Sequence, residues 1–357
     1  MTVQRIEALN FRNLLPQVID IDEKCTLFYG DNGQGKTNIL ETVWLISCGK
    51  SFRANQDKEM IAFEKEDAKV TLLCKDEIRE NKFEAILHKS KRKEVFIDGE
   101  KITKNADLLG NLVTVLFVPD HLSLIKGSPE NRRRFLDISL CQQSRSYFNA
   151  LKEYNKILEG RNSLLKQIAK REQPLDLLDV WDEALLLRNE KIVKARSEYI
   201  NKLSPLCKRL QSEISDGKEN TELLYQTNSL DINEIKFLLR DARENDIYSG
   251  NTSIGCHRDD MDIILNGMSL KRFGSEGQKR SAVISLKLSE GQILKDELKI
   301  SPVFLLDDVL SELDSFRREY ILSKINNFQV IITDCTEREG LKDVLKYKVC
   351  NGKATLY

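Results

Sequence analysis

Residues 30–37 read Gly-Asp-Asn-Gly-Gln-Gly-Lys-Thr, which matches the pattern G-x-x-x-x-G-K-[ST]. An apolar, strand-like segment at 25–29 precedes this octet, and apolar residues at helical spacing follow it from Ile39 onwards. Glycines in such a turn let successive backbone N–H groups point towards a phosphate, and the following helix contributes its positive N-terminal end. The octet therefore predicts an α/β fold with a phosphate-binding loop between a strand and a helix.

The residue types in this loop predict individual roles. Lys36 is expected to bridge the β- and γ-phosphates of ATP and to act in catalysis, and Thr37 to offer its hydroxyl to Mg²⁺. The other predicted nucleotide-binding residues are Gly30, Asp31, Asn32, Gly33, Gln34, Gly35 and Asn38. The alternative interpretation is a glycine turn at a strand end that binds no ligand.

A second motif lies near the other end of the chain, where residues 302–308 read Pro-Val-Phe-Leu-Leu-Asp-Asp. Four apolar residues followed by two carboxylates are typical of a buried parallel strand, whose carboxyl end is where α/β proteins bind ligands. Asp307 is then the predicted Mg²⁺ carboxylate, and Asp308 the catalytic residue that orients an attacking water. Alone, the pattern also fits a solvated strand end. The long separation from Lys36 and the lack of an N-K-x-D motif disfavour kinases and GTPases.

Residues 273–281, Phe-Gly-Ser-Glu-Gly-Gln-Lys-Arg-Ser, precede another helical pattern. Ser275, Gly277 and Gln278 resemble the S-x-G-Q signature of ABC ATPases, which binds the γ-phosphate of ATP held by the opposite subunit. A second helix N-terminus can neutralise the outermost phosphate charge. The segment after Asp308 resembles the D-loop of the same class, and its candidate residues are Ser311 and Asp314. An ATP-dependent homodimer is therefore predicted, although an ordinary helix cap is the alternative interpretation of the signature residues in isolation.

Strand-like patterns occupy both ends of the chain, whereas the middle is poor in glycine and has apolar residues at helical spacing. Asp98-Gly99 and Asn266-Gly267 are typical of tight hairpin turns. The predicted fold class is an α/β, ABC/SMC-like P-loop ATPase head with an inserted α-helical second lobe. Its predicted parts are lobe I from 1 to 125, helical lobe II from 126 to 250, and the remainder of lobe I from 251 to 357.

Composition limits the compartment and the partners. No apolar run reaches the roughly 18 residues that span a bilayer, and the N-terminus lacks a signal-peptide pattern, so a cytoplasmic location is expected. The eight cysteines are scattered without metal-binding spacing, which indicates reduced thiols. The 56 basic and 56 acidic residues balance, so DNA binding would require a local basic patch. The candidate phosphate contacts are Lys89, Lys91, Arg92, Lys93, Arg132, Arg133 and Arg134.

Each basic cluster has a plainer interpretation. The run at 89–93 is also typical of a solvated charged face, and Arg132 to Arg134 could pair with acidic groups of the protein itself. The chain contains no helix-turn-helix or zinc-finger pattern, so any contacts are expected to reach the DNA backbone and not the bases. His257 and Arg258 receive no assigned role.

Beyond the ATPase motifs, the chain resembles the RecF family along nearly its whole length. The residues that carry this resemblance include Phe117-Val118-Pro119-Asp120, Lys126-Gly127-Ser128-Pro129, Arg132-Arg133-Arg134-Phe135-Leu136-Asp137 and Gly255-Cys256-His257-Arg258-Asp259-Asp260. The family usually has Pro where Cys256 stands, and Asp334 occupies the approximate place of the switch histidine found in most ABC proteins. That departure, with Asp and not Glu at 308, favours slow hydrolysis and a role for ATP as a clamp.

The resemblance implies a function in DNA repair. An SMC-like head would dimerise on ATP and bind double-stranded DNA near single-strand gaps. It would help RecO and RecR to load RecA during gap repair, replication-fork recovery and the SOS response, in association with the nucleoid. ATP hydrolysis would be weak and stimulated by DNA. The alternatives are the nucleotide-binding subunit of a transporter and an SMC-type structural head, although the long heptad arms of the latter are missing from the sequence.

Overall fold

The computed structural model describes residues 1–76, 78–228, 231–337 and 344–357. The chain divides into two compact units. The first unit contains residues 1–121 and 283–357, and the second contains residues 122–282. Among the described residues, no helix has both the length and the apolar character that crossing a membrane requires.

The strands and helices are numbered in chain order. The strands are β1 (Thr2–Leu9), β2 (Gln17–Asp20), β3 (Cys25–Tyr29), β4 (Asp67–Lys75), β5 (Glu80–His88), β6 (Glu94–Ile97), β7 (Glu100–Ile102), β8 (Thr114–Phe117), β9 (Thr221–Gln226), β10 (Asp260–Leu265), β11 (Met268–Ser269), β12 (Val303–Asp307), β13 (Val330–Asp334), β14 (Leu345–Cys350) and β15 (Lys353–Leu356). The helices are α1 (Lys36–Cys48), α2 (Ser123–Lys126), α3 (Pro129–Gln143), α4 (Arg145–Ala169), α5 (Leu177–Ile214), α6 (Ile232–Asp241), α7 (Arg243–Ser249), α8 (Leu270–Phe273), α9 (Glu276–Leu298) and α10 (Ser315–Ile325).

The first unit contains an antiparallel sheet with the strand order β2-β1-β4-β5-β6-β7. Its strands alternate between buried and exposed positions, as in β5, where Phe83, Ala85 and Leu87 are buried. This alternation is expected of a sheet that covers a core with one face and meets solvent with the other. The turn at Asp98 and Gly99 joins β6 to β7, as the sequence predicts.

The second sheet of the first unit has the order β15-β14-β3-β13-β12-β8, and all neighbouring pairs except β14 and β15 are parallel. Strands β8, β12 and β13 are buried at every position, which explains their nearly continuous apolar sequences. Since the strands are parallel, the carboxyl ends of β3, β12 and β13 lie at one edge. The phosphate loop begins at this edge, directly after β3. Asp307 and Asp308 lie at the same edge, at the end of β12.

Helix α1 contacts strands of both sheets in the first unit. It is buried on nearly all sides, since Ile39, Leu40, Val43, Trp44 and Ile46 are each at most 3% exposed. The helix therefore joins the two layers of the core, and its N-terminus is fixed at the end of β3. A loop anchored in this way has little freedom to move with respect to the sheet.

The second unit is built around helices α4 and α5, which pack against each other. Leu164, Leu165 and Leu178 form a buried cluster with Trp181 packed against it. A side chain at Gly160 would place its Cβ 2.2 Å from the Trp181 ring, so the helices approach closely at a glycine. Helix α5 continues through Pro205, a residue type that more often ends a helix.

The segment 126–250 is not wholly helical, because β9 lies within it and pairs with β10 beyond it. Thr221 and Leu223 face inwards on β9 while Glu222 and Leu224 face outwards. This pairing draws β10 and β11 into the second unit, which therefore extends to residue 282 and not to the predicted boundary at 250. The signature motif consequently belongs to the second unit, not to the lobe that carries the phosphate loop. The α/β head with a helical insertion is nevertheless confirmed as the fold class.

Candidate functional site

The phosphate-loop residues adopt conformations that depend on glycine. Gly30, Gly33 and Gly35 have φ values of 148°, 80° and 109°. At Gly30, an added Cβ would lie 2.3 Å from the backbone oxygen of Val349, so the neighbouring strand leaves no room for a side chain. Gly35 precedes helix α1 in the left-handed region. The spacing of glycines in the motif thus follows from backbone geometry.

The carbonyl oxygens of the loop are held by donors from around it. Lys36 Nζ donates to the oxygens of Gly30 at 2.7 Å and Asp31 at 3.1 Å. Asn13 Nδ2 donates to the oxygen of Gly33 at 3.1 Å. By contrast, the structure gives no intramolecular hydrogen bond to the backbone N–H groups of residues 31–37, all of which it describes. Carbonyls that are bound and amides that are unused are the arrangement that an anion requires.

Thr37 and Asp307, the two predicted metal ligands, are in direct contact. Thr37 Oγ1 donates to Asp307 Oδ1 at 2.7 Å. Thr333 Oγ1 donates to the same carboxylate oxygen at 2.8 Å. Thr333 is fully buried on β13 directly opposite Asp307 on β12. No sequence signal marked Thr333 beyond its place in an apolar strand, because its role depends on the register between two strands.

Asp308 follows Asp307 and has a left-handed backbone with φ 52°. Its N–H donates to Thr333 Oγ1 at 3.0 Å, which fixes the turn out of β12. Burial raises the pKa of the Asp308 carboxyl, and the carboxylates of Asp307 and Asp334 raise it further, while Lys36 opposes the shift. A carboxylate with a raised pKa is a better proton acceptor, which suits the role predicted for Asp308.

Asp334, which the resemblance places near the usual switch histidine, is buried at the end of β13. Its carboxylate accepts from the N–H of Thr336 at 3.2 Å, and its backbone oxygen accepts from the N–H of Gly30 at 3.2 Å. The next residue, Cys335, places Sγ 3.1 Å from Asn32 Oδ1 and 3.8 Å from Asp308 Oδ1. The thiol of Cys335 is therefore in contact with the Asp308 carboxylate.

A buried carboxylate on α1 organises a polar network that sequence reasoning missed. Glu41 is fully buried and accepts from Arg12 at 2.9 Å, Arg53 at 2.7 Å and Ser51 at 2.5 Å. Burial alone would raise the pKa of Glu41, but the hydrogen bonds from Arg12, Arg53 and Ser51 outweigh it and the pKa is lowered. Arg53 also donates to Asn38 Oδ1, so the network reaches the predicted nucleotide-binding residues.

The signature residues lie at an exposed helix start in the second unit. Ser275 N donates to Gln278 Oε1 at 2.9 Å, and Gln278 N donates to Ser275 Oγ at 3.2 Å. This reciprocal pair is a capping box, and it orients the first turn of α9. Ser275 is exposed and Gly277 is partly exposed. A second molecule could therefore reach this helix N-terminus.

The predicted D-loop residues are also exposed. Ser311 Oγ donates to the backbone oxygen of Asp308 at 2.6 Å. Asp314 accepts from the N–H of Arg317 at 2.9 Å and caps helix α10. Because the Ser311 hydroxyl donates a hydrogen bond to the backbone of Asp308, this segment is held close to the carboxyl end of β12.

The basic residues at 89–93, predicted to contact DNA, differ in their exposure and in their ion pairs. Lys93 lies largely buried and donates to the oxygen of Gly49 at 2.5 Å and to Asp57 at 3.1 Å. Lys89 and Lys91 pair loosely with acidic neighbours at 3.5 Å and remain exposed. Arg92 is exposed. The surface available to a phosphate is therefore Lys89, Lys91 and Arg92, without Lys93.

Arg132 and Arg133 on α3 donate hydrogen bonds to residues of the second unit. Arg132 is 4% exposed and donates to both oxygens of Asp260, at 2.6 and 2.8 Å. Arg133 donates to the backbone oxygen of Asp259 at 2.6 Å. Arg134 is exposed. The structure thus gives Arg132 a structural partner in place of the predicted DNA contact, because its guanidinium satisfies a carboxylate in the same fold.

His257 and Arg258 have structural partners in the second unit. His257 Nδ1 lies 2.7 Å from the Tyr154 hydroxyl, and Nε2 lies 2.9 Å from the backbone oxygen of Thr252. A neutral ring that donates through Nε2 and accepts through Nδ1 satisfies both partners. Burial lowers the pKa of His257 to about 4. Arg258 donates to the same Thr252 oxygen at 2.9 Å.

Comparison with known proteins identifies the family. Residues 2–349 match the family described as RecF/RecN/SMC N terminal domain. The DNA replication and repair protein RecF of Lachnoclostridium phytofermentans is 39% identical over 349 residues, which cover 98% of this chain and 96% of that protein. The protein of the same name from Acetivibrio thermocellus is 40% identical over 349 residues, covering 95% of this chain and 94% of that protein.

Solved structures agree with this result. A structure of the recombination mediator protein RecF with ATP, from the RecFOR pathway, is 35% identical with a TM-score of 0.94, covering 100% of this chain and 97% of that chain. An Smc head bound to the C-terminal winged-helix domain of ScpA covers 100% of this chain and 97% of its own, with a TM-score of 0.58 at 15% identity, and shares the fold alone. The similarity covers at least 94% of the length of these RecF relatives, and the chain belongs to the RecF family.

Proposed function

We propose that the chain binds Mg-ATP at residues 30–37 and uses it to close on a second copy of itself during DNA repair. The observation that carries the proposal is the 2.7 Å contact between Thr37 and Asp307, beside a loop whose amides are unused. The solved RecF structure with ATP supports the same choice of nucleotide.

The donor set beside the loop fits Mg²⁺. A hydroxyl and a single carboxylate are hard oxygen ligands, and Mg²⁺ commonly takes one or two protein ligands and keeps several waters. Bound there, the cation would offset charge on the β- and γ-phosphates. Thr37 and Asp307 would hold it, and Thr333 would keep the Asp307 carboxylate oriented through its 2.8 Å hydrogen bond. Lys36, held at 3% exposure beside the loop, would supply a further positive charge.

Hydrolysis is proposed to be slow. Asp308 is the residue proposed to orient water, and its side chain is shorter than that of a glutamate would be at this position. Cys335 contacts Asp308 at 3.8 Å, and neither its thiol nor Asp334, which stands near the usual place of the switch histidine, would supply the positive charge of a histidine cation. ATP would then serve mainly as a dimerisation switch whose lifetime is set by weak, DNA-stimulated hydrolysis.

Dimerisation is proposed to occur through the signature residues of the partner copy. Ser275 is exposed, and its capping box with Gln278 orients the first turn of α9, which would face an anion held by a second copy. ATP carries more negative charge than one loop can neutralise, so a helix N-terminus from the second copy would stabilise its γ-phosphate. Loss of that phosphate would weaken the dimer. Ser311 and Asp314 are proposed to line the same interface.

In the cell, we expect this switch to act as a recombination mediator. Membership of the RecF family supports a role in gap repair together with RecO, RecR and RecA. Double-stranded and gapped DNA are the proposed ligands, with Lys89, Lys91 and Arg92 as backbone contacts, since these exposed cations offer charge without a base-reading element.

Equilibrium binding of a fluorescent ATP analogue tests the nucleotide site directly. The wild-type chain is expected to bind in a Mg²⁺-dependent manner, and Lys36→Met to bind at least tenfold more weakly, because it removes a buried cation beside the loop. Lys65→Met, at an exposed turn of the same unit, is the matched control and should bind normally. Equal binding by wild type and Lys36→Met would reject the site.

A further inference from the structure

A β-hairpin turn near the C-terminus touches the phosphate loop. Asn351 and Gly352 connect β14 to β15 with φ values of 48° and 78°, which define a tight two-residue turn. The N–H of Asn351 donates to Gln34 Oε1 at 2.6 Å, and the N–H of Gly352 donates to the backbone oxygen of Gln34 at 2.9 Å. Both backbone N–H groups of the turn therefore donate hydrogen bonds to Gln34 of the phosphate loop.

The opposite side of the turn is fixed as well. The backbone oxygen of Gly352 accepts from the N–H of Leu15 at 3.0 Å and from Gln17 Nε2 at 2.7 Å. Gln17 also accepts from the N–H of Ala354 at 2.8 Å. The turn is thus held between the phosphate loop and the segment that leads into β2, and it has little freedom to move without breaking several hydrogen bonds.

Packing at the turn excludes any side chain. A Cβ at Gly352 would lie 2.0 Å from the backbone oxygen of Asn13. The two atoms would overlap, so the backbone of the turn or of Asn13 would have to shift. Asn13 is the residue that holds the Gly33 oxygen of the loop. In contrast, Gly99 occupies the equivalent turn position between β6 and β7 with φ 85°, and a Cβ there would meet nothing within 4 Å. The two turns differ in their contacts and not in their backbone type.

These contacts determine which groups the phosphate loop presents. The oxygens of Gly33 and Gln34 are both bound from outside the loop, by Asn13 and by the turn. A peptide plane whose oxygen is fixed on one side directs the N–H of the next residue to the other side. Fixing the Gln34 oxygen therefore orients the N–H of Gly35, which belongs to the set of unused amides.

We propose that the turn at 351–352 is a positioning element of the phosphate site, and that Gln34 is the positioning residue that couples it to nucleotide binding. The proposal rests on the proposed nucleotide function of residues 30–37. Gln34 would act through the backbone of the loop and not by touching the nucleotide with its side chain. Preorganised donors bind an anion more tightly than mobile ones, because less order must be created on binding.

Two variants with matched backbone strain provide the first test. Gly352→Ala forces the turn away from Asn13, whereas Gly99→Ala imposes the same unfavourable φ at an open turn of the same unit. We expect affinity for Mg-ATP to fall at least tenfold in Gly352→Ala and to stay within twofold of wild type in Gly99→Ala. Thermal melting of both proteins records how much stability each loses.

Gln34→Met provides a second test that leaves the turn sequence intact. It removes the acceptor of the Asn351 N–H, and we expect roughly three- to tenfold weaker binding of Mg-ATP, the range for one lost hydrogen bond. Gln34→Met removes the bond from the Asn351 N–H, and Gly352→Ala displaces the bond from the Gly352 N–H. Because both bonds join the turn to Gln34, the double variant should bind more tightly than the product of the two losses predicts.

Hydrogen exchange measures the coupling in the reverse direction. If the turn positions the loop, Mg-ATP should slow exchange of the Asn351 and Gly352 amides in wild type, because coupling between two sites is reciprocal. The protection at Asn351 should be lost in Gln34→Met. A purely structural contact would give the same exchange with and without nucleotide.

The outcomes separate this proposal from the proposed function. If Gly352→Ala does not fold, the Mg-ATP affinity of Gln34→Met and the hydrogen-exchange experiment test the positioning role. Binding by Gln34→Met within twofold of wild type, together with unchanged exchange at the turn, would overturn the positioning role while Lys36→Met still binds at least tenfold more weakly. Failure of the wild-type chain to bind Mg-ATP would instead overturn the proposed function.

Discussion

Thr37 Oγ1 donates a 2.7 Å hydrogen bond to Asp307 Oδ1, although 270 positions of sequence separate the two residues. The contact arises because the phosphate loop carries the chain from the end of β3 to the start of α1, while Asp307 ends β12. Strands β3 and β12 belong to one sheet, with β13 between them. At this edge of the sheet the hydroxyl and the carboxylate form the pair of ligands that we propose for Mg²⁺. The geometry of the sheet, and not proximity in sequence, creates it.

Asp307→Asn removes the negative charge at the proposed Mg²⁺ site while keeping the size of the side chain. We expect the Mg²⁺ dependence of ATP binding to be lost and hydrolysis to fall by about 100-fold or more, since the cation offsets charge on the phosphates. Nucleotide affinity measured across a Mg²⁺ titration checks this. Asp20→Asn, which changes an exposed carboxylate paired with Arg5, is the control. An Asp307→Asn protein with a normal Mg²⁺ response would contradict the assignment.

Thr333→Val tests whether the buried hydroxyl orients both carboxylate residues. It removes the donor to Asp307 and the acceptor of the Asp308 N–H without a large change of volume. We expect a loss of about 1–3 kcal/mol in the free energy of unfolding, measured with denaturant, and a larger relative fall in hydrolysis than in ATP affinity. Thr333→Ser keeps the hydroxyl and should recover most of the hydrolysis. Similar hydrolysis by the Val and wild-type proteins would exclude the role.

The sequence predicted those parts of the site that are encoded locally. The octet at 30–37 is recognisable because glycines, a lysine and a threonine must follow one another in the loop itself. Asp307 was predicted because an apolar strand that ends in carboxylates places them at the edge where ligands bind. The fold class and the family resemblance were confirmed for the same reason, since several local motifs occur in a fixed order along the chain.

The remaining features depend on pairing that no local pattern encodes. Thr333 lies opposite Asp307 only because β12 and β13 pair in that register. Gln34 meets the turn at 351–352 because β14 pairs with β3. Strand β9 was missed within a helical stretch, because a short alternating segment of six residues gives a weak signal beside long helices. Because β9 pairs with β10, the second unit ends at residue 282 and not at the predicted boundary of 250.

Arg132 and Arg92 should behave oppositely when each is replaced. Arg132→Met leaves Asp260 without its buried partner, so we expect a loss of about 3 kcal/mol in the free energy of unfolding. Arg92→Ala should leave stability unchanged and weaken binding to duplex DNA, with a shallower dependence of affinity on salt. Denaturant unfolding and DNA titrations at several salt concentrations separate the two. Unchanged salt dependence in Arg92→Ala would remove that residue from the DNA surface.

His257 predicts a specific pH dependence of stability. Its pKa in the folded protein is about 4, against an ordinary value of 6.5, because the ring is buried. The unfolded chain therefore binds more protons between these values, and stability falls as the pH drops from about 6.5 towards 4. Between pH 7 and pH 5, wild type should lose about 1–2 kcal/mol more than His257→Asn, which does not titrate. Parallel urea unfolding curves at the two pH values measure the difference. Equal losses would show that His257 does not titrate as expected.

Light scattering with Mg-ATP, with Mg-ADP and without nucleotide tests nucleotide-driven closure most directly, in wild type and in Ser275→Arg. A bulky cation at the exposed start of α9 should block closure on a second copy and leave ATP binding by the monomer intact. We expect the mass of wild type to double with Mg-ATP alone and the mass of Ser275→Arg never to change. A wild-type mass that ignores the nucleotide, or a Ser275→Arg protein that dimerises like wild type, would contradict closure through the signature helix.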